Sequence, residues 1–149
     1  MKRFFIRQVD WEEARQKLLA VRFEVFVEEQ QVPEEMEQDE WDARCLHLLA
    51  EDEDGGAIGT ARLMPEGRLG RVAVVKKWRR CGVGAALVEQ LEQAACQRGM
   101  ASLILHSQTW TIPFYKSLGF VLAEGCEFFE AGIPHRLMEK NLSPGAGSN

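Results

Sequence analysis

Arg79-Arg80-Cys81-Gly82-Val83-Gly84-Ala85 is the stretch on which the fold turns. It lies between an apolar run, Arg68 to Val75, and a segment in which Val83, Leu87, Leu91, Ala94 and Ala95 recur at helical spacing. A strand, a glycine turn and a helix ending near Gly99 are therefore predicted. Glycine lacks a Cβ and reaches dihedrals closed to other residues, so the backbone of such a turn can come close to a ligand. The first N–H groups of a helix have no partner inside it and the macrodipole makes that end positive, which favours a phosphate. Arg79 and Arg80 add charge-assisted donors at the rim. The spacing is neither Gly-x-Gly-x-x-Gly nor Gly-x-x-x-x-Gly-Lys, so dinucleotide folds and nucleotide loops are poorly supported. Taken alone, the heptapeptide also fits a plain glycine-rich helix start with solvated flanking charges.

Working outward toward the N-terminus, Pro65-Glu66-Gly67 turns the chain back into a strand from Ala57 to Met64, and Asp54-Gly55-Gly56 makes a hairpin with Leu46 to Ala50. Three antiparallel strands result. Phe4 to Val9 reads as a first strand, and Asp10 with Glu13 has the signature of a capping box. Trp11, Ala14, Leu18, Val21 and Val25 then continue one apolar helical stripe. The acidic stretch after Pro33 reads as a loop or a short irregular helix. Toward the C-terminus, Ser102 to His106 suits a buried strand and Thr111 to Leu118 a short helix stopped by Gly119. Phe120 to Ala123 and His135 to Asn141 give two last strands, joined by a loop containing Gly125, Gly132 and Pro134. The fold class is α/β, a mixed sheet with helices on its faces.

The 149 residues make one ordinary domain, residues 1–142, followed by a linker-like tail over 143–149 that is expected to be disordered. No apolar run approaches the roughly 18 residues of a membrane span, and the start of the chain lacks the pattern of a signal peptide. Cys45, Cys81, Cys96 and Cys126 stand far apart, with no metal or redox spacing, so four reduced thiols in a cytoplasmic protein are expected and no metal. The net charge of −5, from 18 basic and 23 acidic residues, argues against a nucleic-acid binder. Placement matters more than the sum. Eight acidic side chains and no basic one lie between Glu28 and Asp42, whereas Lys76, Lys77, Arg79 and Arg80 sit together. One region should repel anions and the other attract them.

Arg79-x-x-Gly82-x-Gly84 after a strand resembles the acyl-CoA pyrophosphate loop of the GNAT N-acetyltransferase superfamily, and Ser102 to His106 followed by Phe114-Tyr115-x-x-x-Gly119-Phe120 is similar to its closing segment. The resemblance spans roughly Phe4 to Asn141. Arg22-x-x-Val25-Phe26-Val27-x-Glu29-Gln30-x-Val32-Pro33 resembles a branch of small bacterial members and, faintly, the acyl-homoserine-lactone synthases. The family implies a mostly antiparallel mixed sheet splayed in the middle, with helices on both faces. It implies that the backbone of Val72, Ala73 and Val74 pairs with the pantetheine arm of acetyl-CoA, like an added strand made available by a bulge. It also implies that the backbone amides of Arg80, Cys81, Gly82, Val83, Gly84 and Ala85 hold the pyrophosphate, with Arg79 on the rim. Tyr115 should lie beside the sulfur, and Gln108 stands where the family often has Asn facing the pantetheine. Thr111 replaces the usual Ala, and Pro113 falls in the first turn of the expected helix, where proline is tolerated. A homodimer is compatible with the family.

The implied transferase reaction moves an acetyl group to an amine by direct attack. It needs a neutral amine, a polarised thioester carbonyl and a proton for the departing thiolate. A lysine-like amine is unprotonated in only about one part in 10^3 at neutral pH, so a base is wanted. Glu29 leads the candidates for that role, with Glu28, Asp39, His106 and His135 open behind it. The Val74 N–H is the expected donor to the carbonyl and Tyr115 the expected acid. The acidic Glu28 to Asp42 segment is expected as a lip favouring a cationic acceptor, with Trp41 closing the pocket or covering the core. Cys81 is a small loop residue whose oxidation would release the cofactor if its thiol is exposed. The alternative is a catalytically idle acyl-CoA sensor or interaction module.

Overall fold

A computed structural model describes residues 2–37 and 39–142. The tail expected over 143–149 lies outside the described residues. Among these residues eight strands form one sheet: β1 (Phe4–Val9), β2 (Leu46–Asp52), β3 (Ala57–Leu63), β4 (Arg68–Val74), β5 (Ser102–Gln108), β6 (Val121–Leu122), β7 (Phe128–Glu130) and β8 (Ile133–Asn141). The order is β1-β2-β3-β4-β5-β8-β6, with β7 also paired to β8. β4 and β5 run parallel and the other pairs antiparallel. The helices are α1 (Trp11–Arg22), α2 (Glu34–Glu37), α3 (Val83–Gln97) and α4 (Ile112–Ser117). This is the mostly antiparallel mixed sheet that the family resemblance implied.

Leu46 to Ala50 of β2 are all buried, because helices cover both faces of the sheet there. Leu49 packs with Trp11, Ala14 and Leu18 of α1, while Leu46, Leu48 and Ala50 join Val83, Leu87 and Leu91 of α3. Gly59 on β3 lets α3 settle onto the sheet: a Cβ there would come within 3.0 Å of Val83 Cγ1 and 3.2 Å of Leu87 Cδ1.

The sheet splits in its middle. β4 and β5 pair only at Arg68↔Ile104 and Leu69↔Leu105, and no register joins them further on. The cause lies in β4. Its register with β3 passes from Thr60↔Ala73 to Arg62↔Gly70, so β4 carries one more residue than its partner over this interval. Arg71 absorbs the extra length at φ 50°, in the left-handed region, and its carbonyl accepts from Thr60 Oγ1 at 3.0 Å. Such a bulge bends its strand, and here it parts β4 from β5.

Three details differ from the sequence reading. The α1 stripe does not stay α-helical to Val25 but passes into a π-helical turn, Phe23–Glu29, where the Gln30 N–H donates to the Val25 carbonyl at 3.2 Å. Asp10 caps α1 by accepting from the Glu12 N–H at 3.1 Å, without the reciprocal bond a capping box would take from Glu13. The loop expected between the last strands contains β7, which forms a short hairpin with β8.

Candidate functional site

The split opens into a cavity of about 780 Å³. One wall is main chain. The Val75 N–H donates to the Ile58 carbonyl at 2.9 Å. Strand alternation turns the Ala73 backbone the same way, toward β3, and leaves the backbone of Val72 and Val74 facing the slot. Of the three residues expected to pair with a ligand strand, Ala73 therefore has its main chain committed to β3. Beyond β4, Arg80 (φ 62°) and Gly82 (φ 86°) are both left-handed, and Gly82 caps α3. Ala86 donates to the Gly82 carbonyl at 3.1 Å, so the N–H groups of Val83, Gly84 and Ala85 have no acceptor within the helix. A Cβ on Gly84 would lie 3.3 Å from Phe114 Cζ and 3.8 Å from Val74 Cγ2. A side chain there would crowd the junction of loop, slot and α4. Cys81 is half-buried, with its thiol 3.5 Å from the Arg79 carbonyl.

Arg79 is committed more tightly than a rim residue need be. Its Nε donates to the Val74 carbonyl at 2.9 Å, and its two terminal nitrogens hold Glu29 Oε2 at 2.9 Å and Oε1 at 2.6 Å. Next to Glu29, the Gln30 side chain exchanges hydrogen bonds with Gln108 at 2.7 and 3.2 Å. The end of the π-helical turn thus reaches both arms of the split, Arg79 after β4 and Gln108 at the end of β5. π-Helical turns often mark functional sites, since one inserted residue re-aims those after it. Tyr115 lines the cavity and is buried, with its ring edge-on to Phe114 and Phe120 at centroid distances of 4.9 and 5.9 Å. Burial pushes its phenol above the ordinary value, so it carries its proton throughout the neutral range.

The opposite wall is built from charged side chains. Arg22 is 1% exposed and binds Asp42 through Nη1 at 2.9 Å and Nη2 at 3.1 Å, with Glu37 on its Nε. Arg62, 3% exposed, holds both oxygens of Asp39 at 2.8 Å and also Asp42 at 2.8 Å. From the bulge, Arg71 donates to the Glu37 carbonyl at 3.0 Å and to Asp39 at 3.3 Å. Three guanidiniums thus face three carboxylates. Burial works against the ionised form of Asp39, but Arg62 outweighs it and holds the carboxyl at about 2. Asp42 is likewise lowered by Arg22 and Arg62 against the effect of burial. Burial, with Arg62 and Arg22 nearby, pushes Arg71 down to about 10, which leaves it cationic at neutral pH. Half of the acidic lip expected from the sequence is therefore paired: Glu29, Glu37, Asp39 and Asp42 all have arginine partners. Trp41 lines the cavity half-buried, with the Arg44 guanidinium 4.9 Å from its ring.

A third group comes from the far half of the sheet, where His106, Glu130, His135 and Arg68 line the same cavity. His106 Nδ1 lies 3.1 Å from both oxygens of Glu130, and His135 Nε2 lies 3.8 Å from Oε1. The hydrogen bond from His106 lowers the Glu130 carboxyl below its usual range, outweighing burial, and Arg68 and His135 add to the effect.

Val72, Ala73, Val74, Arg79, Gln108, Tyr115 and Glu29 are thus brought to one cavity, and Arg80 to Ala85 follow in the turn that leads into α3. Arg62, Arg71, Gln30 and Glu130 were not foreseen. Only the Glu29-Gln30 pair had a local signal, inside the motif from Arg22 to Pro33. Among the described residues no cluster of three His, Cys, Asp or Glu could hold a metal ion.

The chain matches the acetyltransferase (GNAT) domain family over residues 10–142. It is 39% identical over 133 residues to the uncharacterized N-acetyltransferase YjcF of Bacillus subtilis, covering 87% of this chain and 94% of the relative. A solved structure of a candidate N-acetyltransferase from Lactobacillus plantarum is similar, with a TM-score of 0.85, 30% identity, and coverage of 94% of this chain and 99% of that one. An acyl-CoA N-acyltransferase from Pseudomonas aeruginosa is also similar, with a TM-score of 0.77, 28% identity, and coverage of 94% and 99%.

Proposed function

Because the chain belongs to the GNAT acetyltransferase family and is an acyl-CoA-dependent acyltransferase, we propose that it moves the acetyl group of acetyl-CoA to an amine of a small molecule or peptide by direct attack in a ternary complex. The observation that carries this reading is the split between β4 and β5, which leaves the main chain of Val72 and Val74 without a strand partner on the cavity side. A pantetheine arm has the amides to take that place. A cavity of about 780 Å³ also suits it, since small-ligand sites span roughly 300–1,000 Å³.

In this reading the N–H groups from Arg80 to Ala85 hold the diphosphate at the start of α3, and the Val74 N–H donates to the thioester oxygen as charge builds on it. Tyr115 keeps its proton until the thiolate leaves and then donates it. The Val74 carbonyl already accepts from Arg79 and has its second lone pair for a ligand strand. Glu29 is assigned to positioning Arg79, because both its oxygens are already held. The exposed Glu28, Glu34, Glu35 and Glu40 draw a cationic amine toward the mouth. The four free thiols accord with a cytoplasmic setting.

A thiol-release assay with acetyl-CoA against pooled amines, metabolites and peptides tests this. CoA release should depend on an amine, and Tyr115→Phe should lower kcat at least tenfold with CoA affinity unchanged. No amine-dependent release from any pool contradicts it.

A further inference from the structure

His106 and Arg68 project from the sheet opposite to their neighbours Leu105 and Leu69, which belong to the core cluster shared with α3. On that face His106 meets Glu130 from β7, which also lies near His135 from β8. The Glu130 carboxyl is ionised and can only accept, so the proton of a neutral His106 sits on Nδ1 and points at Glu130. The basic lone pair is then on Nε2, for which the described residues supply no hydrogen-bond partner. Phe128 fixes the imidazole, edge-on at 5.0 Å between centroids.

From this geometry, and resting on the acyl-transfer reading above, we infer that His106 takes the proton of the acceptor amine, with Glu130 as the residue that positions it. Of the carboxylates that the sequence offered for this role, Glu29 is held by Arg79 and Asp39 by Arg62 and Arg71, and Glu28 is not among the residues lining the cavity. Glu130 also stabilises the imidazolium that the transfer creates. His135 Nδ1 donates to the Ile133 carbonyl at 2.7 Å, which leaves its Nε2 3.8 Å from Glu130 Oε1. The charged and titratable groups around the pair are Arg68 on β4, Glu130 on β7 and His135 on β8, with Asp39, Glu40 and Arg71 across the cavity.

The proton balance is complete. An ammonium acceptor gives one proton to His106 Nε2, which passes it to solvent. The neutral nitrogen then forms a bond to the acyl carbon while the carbon–sulfur bond breaks. Tyr115 protonates the sulfur and is reprotonated by the second proton lost from nitrogen, so that amide, CoA thiol and one free proton are the products.

The test uses whichever amine the wild-type protein acetylates in the pooled thiol-release assay. His106→Gln should lower kcat about 100-fold at pH 7, within the 10²–10⁴ range of general-base catalysis, with CoA affinity within twofold of wild type. The deficit should close as the pH approaches the amine's own pKa, where no base is needed. Glu130→Gln removes the charge that favours the imidazolium, so it should move the acid limb of the pH–rate profile to lower pH, which a packing role would not do. This variant decides the matter if His106→Gln does not fold. An amine acetylated equally well by both variants, with unchanged pH profiles, overturns the role of His106 and leaves acyl transfer standing. No acetylated amine at all overturns the acyl-transfer reading, and this inference with it.

Discussion

The two walls of the cavity are made of different materials. The wall formed by β4 and the start of α3 presents main chain: the slot-facing backbone of Val72 and Val74, and the free N–H groups of Val83, Gly84 and Ala85. The other side, from the π-helical turn through α2 to Trp41 with Arg62 of β3 and Arg71 of the β4 bulge, presents side chains held by a balanced network of three arginines and three carboxylates that Arg22 and Asp42 complete behind it. A main-chain wall recognises what any backbone can recognise, amides and phosphates, and tolerates change in most side chains. A wall of paired charges is rigid only while each partner is present, because an orphaned buried charge is costly. In the proposed reading the cosubstrate binds along the first wall, and the acceptor enters between the second wall and His106.

Removing Arg22 tests this division most severely. Arg22→Ala leaves Glu37 and Asp42 buried without their main cation, a loss of about 3–5 kcal/mol. For a domain of this size that corresponds to a fall in Tm on the order of 10 °C. The folded fraction should still bind CoA within about threefold of wild type, as measured by calorimetry below the melting range. A variant that melts normally but loses CoA would mean that the walls are not separable.

Acid should sharpen the same contrast by a smaller amount. Asp39 is held at about 2 by Arg62, against about 3.9 in an unfolded chain. Its contribution is present above about pH 4 and is lost as the pH falls through 2. Reduced for its partial exposure, it is on the order of 1–2 kcal/mol. A carbon-detected NMR titration should give an Asp39 midpoint near 2, with a lower urea midpoint at pH 2.5 than at pH 5. A midpoint near 4 would show that Arg62 does not hold it.

The same division explains what was legible in the sequence. The Gly82-Val83-Gly84 turn, the strand from Phe4 to Val9 and the stripe of α3 are local patterns, and each element formed where its periodicity put it. The pairing within the acidic segment was not legible, for the opposite reason. Its partners Arg22, Arg62 and Arg71 lie at distances in the chain that no periodicity marks, so eight uncompensated acids in sequence became a partly neutral network in space. β7 was missed because Phe128-Phe129-Glu130, between Gly125 and Gly132, is too short to show alternation. It is specified by pairing with β8, and Glu130 went unseen with it. The π-helical turn had no signature distinct from the α1 stripe that it extends.

In the proposed reading, main-chain donors of β4 and of the start of α3 grip CoA. The most direct measurement is a ¹⁵N–¹H NMR titration of the full chain with CoA. The largest amide shifts should fall on Val72, Val74, Val83, Gly84 and Ala85. Saturating CoA that leaves those five amides unmoved would contradict that reading.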